Sequence, residues 1–101
     1  LLADGGVRIA MGTDTGAPTG RWQGYFEHLE LAMMVDAGLT PMQALVAATG
    51  DAAHVLRIAD RLGTLQPGRE ADLIVLGANP LDDIRNTRSV EQVWIAGRRL
   101  H

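Results

Sequence analysis

The first patterned stretch lies near the start of the chain. Val7, Ile9 and Met11 alternate with small or polar residues, a pattern that predicts a strand over residues 7–14, buried on both faces. A loop rich in glycine, proline and threonine follows over residues 15–24. A loop of this length between a strand and a helix often carries functional residues.

The next apolar residues follow the period of helices. Apolar residues four positions apart predict a helix over residues 25–37. A second helix begins at Thr40, because threonine can accept a backbone hydrogen bond, the following proline suits the first helical position and a glutamine can complete a capping box. A third, short helix is predicted over residues 52–58, with Asp51 as its N-terminal cap.

After Asp60 the helical period is lost. The sequence predicts an extended piece, a type II turn, a strand and a terminal hairpin, in that order over residues 62–65, 66–69, 71–76 and 90–100. The chain therefore divides into residues 1–60, whose single strand has no sheet partner, and residues 61–101, a small β layer. Strands and helices together predict an α/β fold.

Composition narrows the class of protein. The chain has 101 residues, 47% of them hydrophobic, a net charge of -3 and no cysteine, which excludes disulfides and thiolate metal sites. With no basic cluster and no apolar run long enough to cross a bilayer, we expect neither nucleic acid nor a membrane as a partner. A cysteine-free chain is compatible with the cytoplasm. Residues 1–6 read as a helix end closed by glycine, so we expect a C-terminal piece of a longer protein.

Asp14 is the main candidate for chemistry. A carboxylate at the C-terminal tip of a buried strand stands where α/β enzymes build active sites, and it can bind a metal or act as a general base. The alternative is a turn residue whose side chain accepts backbone hydrogen bonds. Asp14-Thr15-Gly16-Ala17 also matches the signature of retroviral-type aspartic proteases. That fold is almost wholly β, which disagrees with the helical period of residues 25–58.

Several segments in a fixed order are more specific than any one of them. They are Gly12-Thr13-Asp14, His28-Leu29-Glu30-Leu31, Ala37-Gly38-Leu39-Thr40-Pro41, the run from Leu62 to Leu76, Asn79-Pro80-Leu81-Asp82-Asp83-Ile84 and Val93-Trp94-Ile95-Ala96-Gly97-Arg98. In this order and spacing they resemble the C-terminal region of the metal-dependent amidohydrolase superfamily. The nearest branch contains imidazolonepropionase and metal-dependent prolidase-like enzymes.

The resemblance implies a fold and a reaction. Residues 1–60 would be the C-terminal end of a (β/α)₈ barrel, with residues 7–14 as its last strand, and residues 61–101 the C-terminal share of a composite β-sandwich. Asp14 would bind a divalent metal, usually zinc, take a proton from the activated water and pass it to the leaving nitrogen. The implied function is a hydrolase acting on C–N bonds of small molecules, such as amides, cyclic amides or dipeptide-like compounds.

The resemblance also suggests residues that contact substrate. Arg21, Trp22 and Tyr25 lie in or beside the loop after Asp14, where an arginine could bind a carboxylate. His28 matches a His-x-Glu-Leu pattern; its alternative role is a structural hydrogen bond to backbone. A fifth residue, Asp72, is predicted to be structural, as a turn or sheet-edge partner.

Asp14 is the one credible metal ligand in the sequence, and one ligand is too few to hold a catalytic metal ion. A hydrolytic zinc site needs about three protein ligands, and the resemblance implies that the others lie upstream. We therefore expect the chain by itself to be inactive and to bind zinc weakly, and the full-length protein to act on a small-molecule substrate and to be able to form a homo-oligomer. A non-catalytic scaffold of the same fold is the alternative.

Overall fold

The computed structural model describes residues 2–15 and 23–101. Residues 7–14 form no strand, because no other strand of the described part lies beside them. A strand needs a partner for its backbone groups. The backbone amide of Met11 instead donates to the carbonyl oxygen of Ala47, at 3.0 Å. The strand predicted over residues 7–14 is therefore not paired into a sheet within the described residues, and the predicted loop falls mostly outside them.

Two helices begin and end close to the predicted positions. Helix α1 spans Phe26–Asp36 and helix α2 spans Pro41–Ala48. The capping box at the start of α2 is present: the Gln43 amide donates to the Thr40 hydroxyl at 3.1 Å, and the Thr40 amide donates to the Gln43 side chain at 2.9 Å. A cap of this kind contributes about 1 kcal/mol to stability. Both helix predictions are confirmed.

The third helix differs from its prediction. Helix α3 spans Gly50–Val55 and follows α2 after a single residue, Thr49. Asp51 is not its cap, because it lies inside the first turn. Its carboxylate faces the Arg8 guanidinium instead, with 3.5 Å between oxygen and nitrogen. Thr49 alone separates α2 from α3, so Asp51 falls within the first turn of α3 and not before it.

The second half of the chain contains an antiparallel sheet of three strands in the order β1-β2-β3. Strands β1, β2 and β3 span Leu73–Leu76, Val90–Ile95 and Arg98–Arg99. The terminal hairpin is confirmed. The predicted type II turn at residues 66–69 is supported by a hydrogen bond from the Arg69 amide to the Gln66 carbonyl and by a φ of +88° at Gly68. Residues 62–64 form bends, so the predicted extended piece over residues 62–65 is wrong.

A 3₁₀-helix, Ile84–Arg88, lies between β1 and β2 and joins the two halves. Its first residue, Ile84, is buried with Leu31 of α1 and Ala44 of α2. Partly buried apolar residues surround these three: Met11, Ala32, Met34, Val35, Leu45 and Ala48. The core thus contains residues from both sides of position 60. The division into residues 1–60 and 61–101 stays a prediction.

The described chain is a mixed α/β unit. Its three helices disagree with the nearly all-β fold of a retroviral-type aspartic protease, so that alternative is excluded. Among the described residues, no helix has both the length and the apolar character needed to cross a membrane.

Candidate functional site

Asp14 is exposed, lies at the end of the segment of residues 7–14 and has an unusual backbone conformation. Its φ is +58°, in the left-handed region, where aspartate is one of the few residues other than glycine that occurs with any frequency. A conformation of this kind costs about 1 kcal/mol or more, and it persists only where neighbouring contacts hold it. The residues on either side of Asp14 make such contacts.

Thr13 and Thr15 are joined across Asp14. The Thr15 amide donates to the Thr13 hydroxyl at 3.2 Å, and the two hydroxyl oxygens are 3.1 Å apart. The Thr15 hydroxyl in turn donates to a carboxylate oxygen of Glu27, on the first turn of α1, at 2.9 Å. The backbone on both sides of Asp14 is therefore fastened to one helix.

Glu27 has a second hydrogen-bond partner in the loop. Its other carboxylate oxygen accepts from the Gly24 amide at 2.6 Å. Hydrogen bonds from its own backbone amide, from Thr15 and from Gly24, with the nearby charge of His28, lower the pKa of Glu27. The ionised carboxylate is the form that accepts from both partners at once. Glu27 is not among the residues predicted from the sequence, although an acidic residue in a first helical turn is a recognisable signal.

The predicted substrate residues Tyr25 and His28 contact the 3₁₀-helix. The Tyr25 ring lies edge to face with Phe26, with centroids 5.4 Å apart, and the Arg88 guanidinium carbon lies 5.5 Å from the Tyr25 centroid. His28 Nδ1 is 2.9 Å from the Thr87 hydroxyl. Its partner is thus a side chain, and the predicted backbone partner is wrong. The other two candidates, Arg21 and Trp22, lie outside the described residues.

A shallow cavity borders the same segment. Its volume is about 220 Å³, and its lining consists of Thr13, Phe26, Leu29, Glu30 and Met33. One face of α1 beside the Asp14 segment is therefore mostly apolar and carries one acidic side chain.

The described residues do not form a complete metal site by themselves. Within residues 2–15 and 23–101, no three His, Cys, Asp or Glu side chains are grouped closely enough to hold a metal ion. Asp14 offers an exposed carboxylate, a ligand type that zinc and harder divalent ions both accept. The chain therefore fits a metal site as the donor of one ligand.

Comparison with known proteins gives one consistent result. The sequence model of the amidohydrolase family matches residues 1–100. An imidazolonepropionase from Deinococcus deserti is 40% identical over 98% of the chain, and an ochratoxinase from Aspergillus niger is 42% identical over 92%. The solved structure of a Xaa-Pro dipeptidase with bound methionine in its active site superimposes over 98% of the chain, with a TM-score of 0.87 and 36% identity.

The matched region is a small share of each relative. The chain spans 25% of the imidazolonepropionase, 19% of the ochratoxinase and 23% of the dipeptidase. Three proteins with different names thus share this one piece of structure.

Proposed function

Because the chain belongs to the amidohydrolase family, we propose that it is part of a metal-dependent hydrolase and supplies Asp14 to the active site. Named relatives of this family act on C–N bonds, among them an imidazolonepropionase, a deaminase and a dipeptidase. The substrate is a small molecule with an amide, cyclic amide or dipeptide-like C–N bond. The observation that carries the proposal is the fixed, exposed position of Asp14 within a match to the whole chain.

The rest of the protein completes the fold. Residues 7–14 are the last strand of a (β/α)₈ barrel, and they lack a ladder here because the neighbouring strand belongs to other parts of the protein. The sheet of β1, β2 and β3 is part of a composite β-sandwich. The apolar side chains of Ile74 and Ile95 in this sheet, and of Leu100 directly after β3, are about half exposed or more, which supports a further covering layer.

Asp14 has two roles in the reaction. Its carboxylate would supply one ligand to a divalent metal, zinc in our proposal, and the remaining ligands would come from residues outside this chain. The metal, when bound, polarises the scissile carbonyl and makes water acidic enough to lose a proton near neutral pH. Asp14 accepts that proton and returns it to the nitrogen that leaves.

Four residues that follow Asp14 in the sequence are proposed to form part of the substrate pocket. Arg21 and Trp22 are assigned from their loop position alone. Tyr25 is 50% exposed, and His28 is one turn further along the same helix. Their contacts with Arg88 and Thr87 leave part of each ring accessible, so both can contact a ligand. The homo-oligomer and the cytoplasmic location stay predictions.

The test uses the full-length protein with its metal. We expect hydrolysis of one or more members of a panel of Xaa-Pro dipeptides, N-acyl amino acids and cyclic amides. Asp14→Asn should lower kcat by at least about a hundred-fold, because it removes the base and a ligand charge. Asp51→Asn, an aspartate paired with Arg8, is the matched control and should keep full activity.

Two results would contradict the proposal. Full activity in Asp14→Asn would remove its central residue. A metal-loaded protein that hydrolyses nothing on the panel, with no bound metal detected, would favour the non-catalytic scaffold. For the 101-residue chain alone we expect no activity and weak zinc binding by calorimetry.

A further inference from the structure

We propose that Glu27 is a positioning residue that holds Asp14 in its active direction through the hydroxyl of Thr15. This inference rests on the proposed function of Asp14, and it adds a residue that does not touch the metal or the substrate. The hydrogen bonds run in one direction, from the Thr13 hydroxyl to Thr15 and from the Thr15 hydroxyl to Glu27. Their distances are 3.1 Å and 2.9 Å.

The charge of Glu27 sets that direction. A carboxylate accepts hydrogen bonds and donates none, so the single proton of the Thr15 hydroxyl points at Glu27. The lone pairs of the Thr15 oxygen then face the Thr13 hydroxyl proton. The Thr13 oxygen in turn accepts from the Thr15 amide at 3.2 Å. Asp14 lies between the two threonines that these hydrogen bonds join, so they restrain the direction of its backbone.

The second oxygen of Glu27 adds a restraint from the far end of the loop. It accepts from the Gly24 amide, where φ is +81°. Residues 15 and 24 are thus joined to one side chain on α1. Glutamine at position 27 offers one accepting oxygen and one donating nitrogen, so it can keep only one of these two hydrogen bonds.

A purely structural role for Glu27 makes a different prediction. As a helix-end carboxylate it would stabilise α1 through the N-terminal amides, and its loss would lower the melting temperature only. As a positioning residue it also fixes a metal ligand. Partners that orient metal ligands typically change metal affinity about 10- to 100-fold when removed. Zinc affinity therefore separates the two roles.

The experiment compares Glu27→Gln, Thr15→Val and Thr15→Ser in the full-length protein. Zinc alone is titrated in competition with a chromogenic chelator, and kcat and the melting temperature are recorded beside it. We expect the first two variants to bind zinc at least about ten-fold more weakly. Thr15→Ser keeps the hydroxyl and should match the parent protein. The double variant should bind zinc less weakly than the two single losses added together would predict, since both substitutions act on one connected set of hydrogen bonds.

Each failure has its own signature. If Asp14→Asn weakens zinc binding and Glu27→Gln and Thr15→Val do not, the positioning role is wrong and the proposed function stands. If Asp14→Asn itself leaves zinc binding and kcat unchanged, the proposed function fails. Should Glu27→Gln not fold, Thr15→Val alone decides, because it removes the same hydrogen bond without touching the helix.

Discussion

His28 Nδ1 and the hydroxyl oxygen of Thr87 lie 2.9 Å apart, although the two residues are 59 positions apart in the chain. Thr87 is only 4% exposed, so its hydroxyl depends on this partner. The contact fastens the 3₁₀-helix to the first turns of α1, one turn from Tyr25 and its contact with Arg88. The linker between β1 and β2 is therefore attached to the helix that also holds the Asp14 segment.

The first prediction follows from that hydrogen bond. Thr87→Val keeps the volume of the side chain and removes the hydroxyl, so the free energy of unfolding should fall by about 1 kcal/mol. Urea unfolding measures this change. Thr87→Ser, which keeps the hydroxyl, should lower the free energy of unfolding less than Thr87→Val does. A valine variant as stable as the parent protein would show that the contact contributes nothing.

A second prediction concerns the close packing of Gly63 against α3. A Cβ added there would lie 2.6 Å from the Ala53 Cβ and 2.9 Å from the Thr49 carbonyl oxygen, and φ is +98°. Gly63→Ala should therefore lower the free energy of unfolding by roughly 2–4 kcal/mol. Gly68 is the control: its φ is +88°, but nothing lies within 4 Å. Gly68→Ala should lower the free energy of unfolding by only about 1 kcal/mol. Equal decreases for both variants would show that the close packing around Gly63 contributes nothing.

A third prediction concerns Asp72, which holds the terminal hairpin. Its carboxylate accepts from the Ala96 amide at 2.7 Å, and Ala96 and Gly97 have φ values of 51° and 77°. This confirms the structural role expected for Asp72. Asp72→Ala should lower the free energy of unfolding by about 1 kcal/mol and speed amide hydrogen exchange at Ala96. Asp72→Asn, which keeps an accepting oxygen, should lose less of the free energy of unfolding than Asp72→Ala. Unchanged amide hydrogen exchange at Ala96 in the alanine variant would contradict the structural role of Asp72.

The fourth prediction is a pH dependence at the start of the 3₁₀-helix. Hydrogen bonds from the Arg85 side chain and backbone amide lower the pKa of Asp83. The folded state therefore favours the ionised form. The resulting stability is complete above the pKa of an unfolded aspartate, about 3.9, and is lost as the pH falls through the lower folded-state value.

Asp83→Asn is the variant that checks this pH dependence. At neutral pH it should be less stable than the parent protein, because the amide lacks the charge that attracts Arg85. The difference in urea midpoint should narrow on acidification, as Asp83 in the parent protein becomes protonated. A difference that stays constant from neutral to strongly acidic pH would assign the stability to the cap geometry alone.

Local signals in the sequence predicted most of the elements. The capping box at Thr40, the turn at residues 66–69 and the hairpin around Gly97 each depend on residues within a few positions of one another. The predicted strand at residues 7–14 depends on pairing with a neighbouring strand, and no strand of residues 2–15 and 23–101 lies beside it. The cap at Asp51 was mispredicted because one residue, Thr49, sufficed to separate α2 from α3.

The sequence predicts only part of the candidate site. Asp14 follows from its position after an apolar run and from the resemblance that the family match later confirmed. Glu27 was missed because its partner Thr15 is twelve residues away, across a loop whose path the sequence does not specify. The Thr87 partner of His28 was missed for the same reason, at a longer separation.

The junction between α2 and α3 has a consequence for the segment that ends at Asp14. A continuous helix would use the Ala47 carbonyl oxygen for the amide four residues later, but the interruption at Thr49 leaves it to the Met11 amide. The segment of residues 7–14 is thus held by the Ala47 carbonyl oxygen, which is available because α2 and α3 are separate helices. Substitutions that favour a continuous helix through Thr49 would strengthen helical structure and, in the same step, remove the hydrogen bond that holds the peptide leading to Asp14.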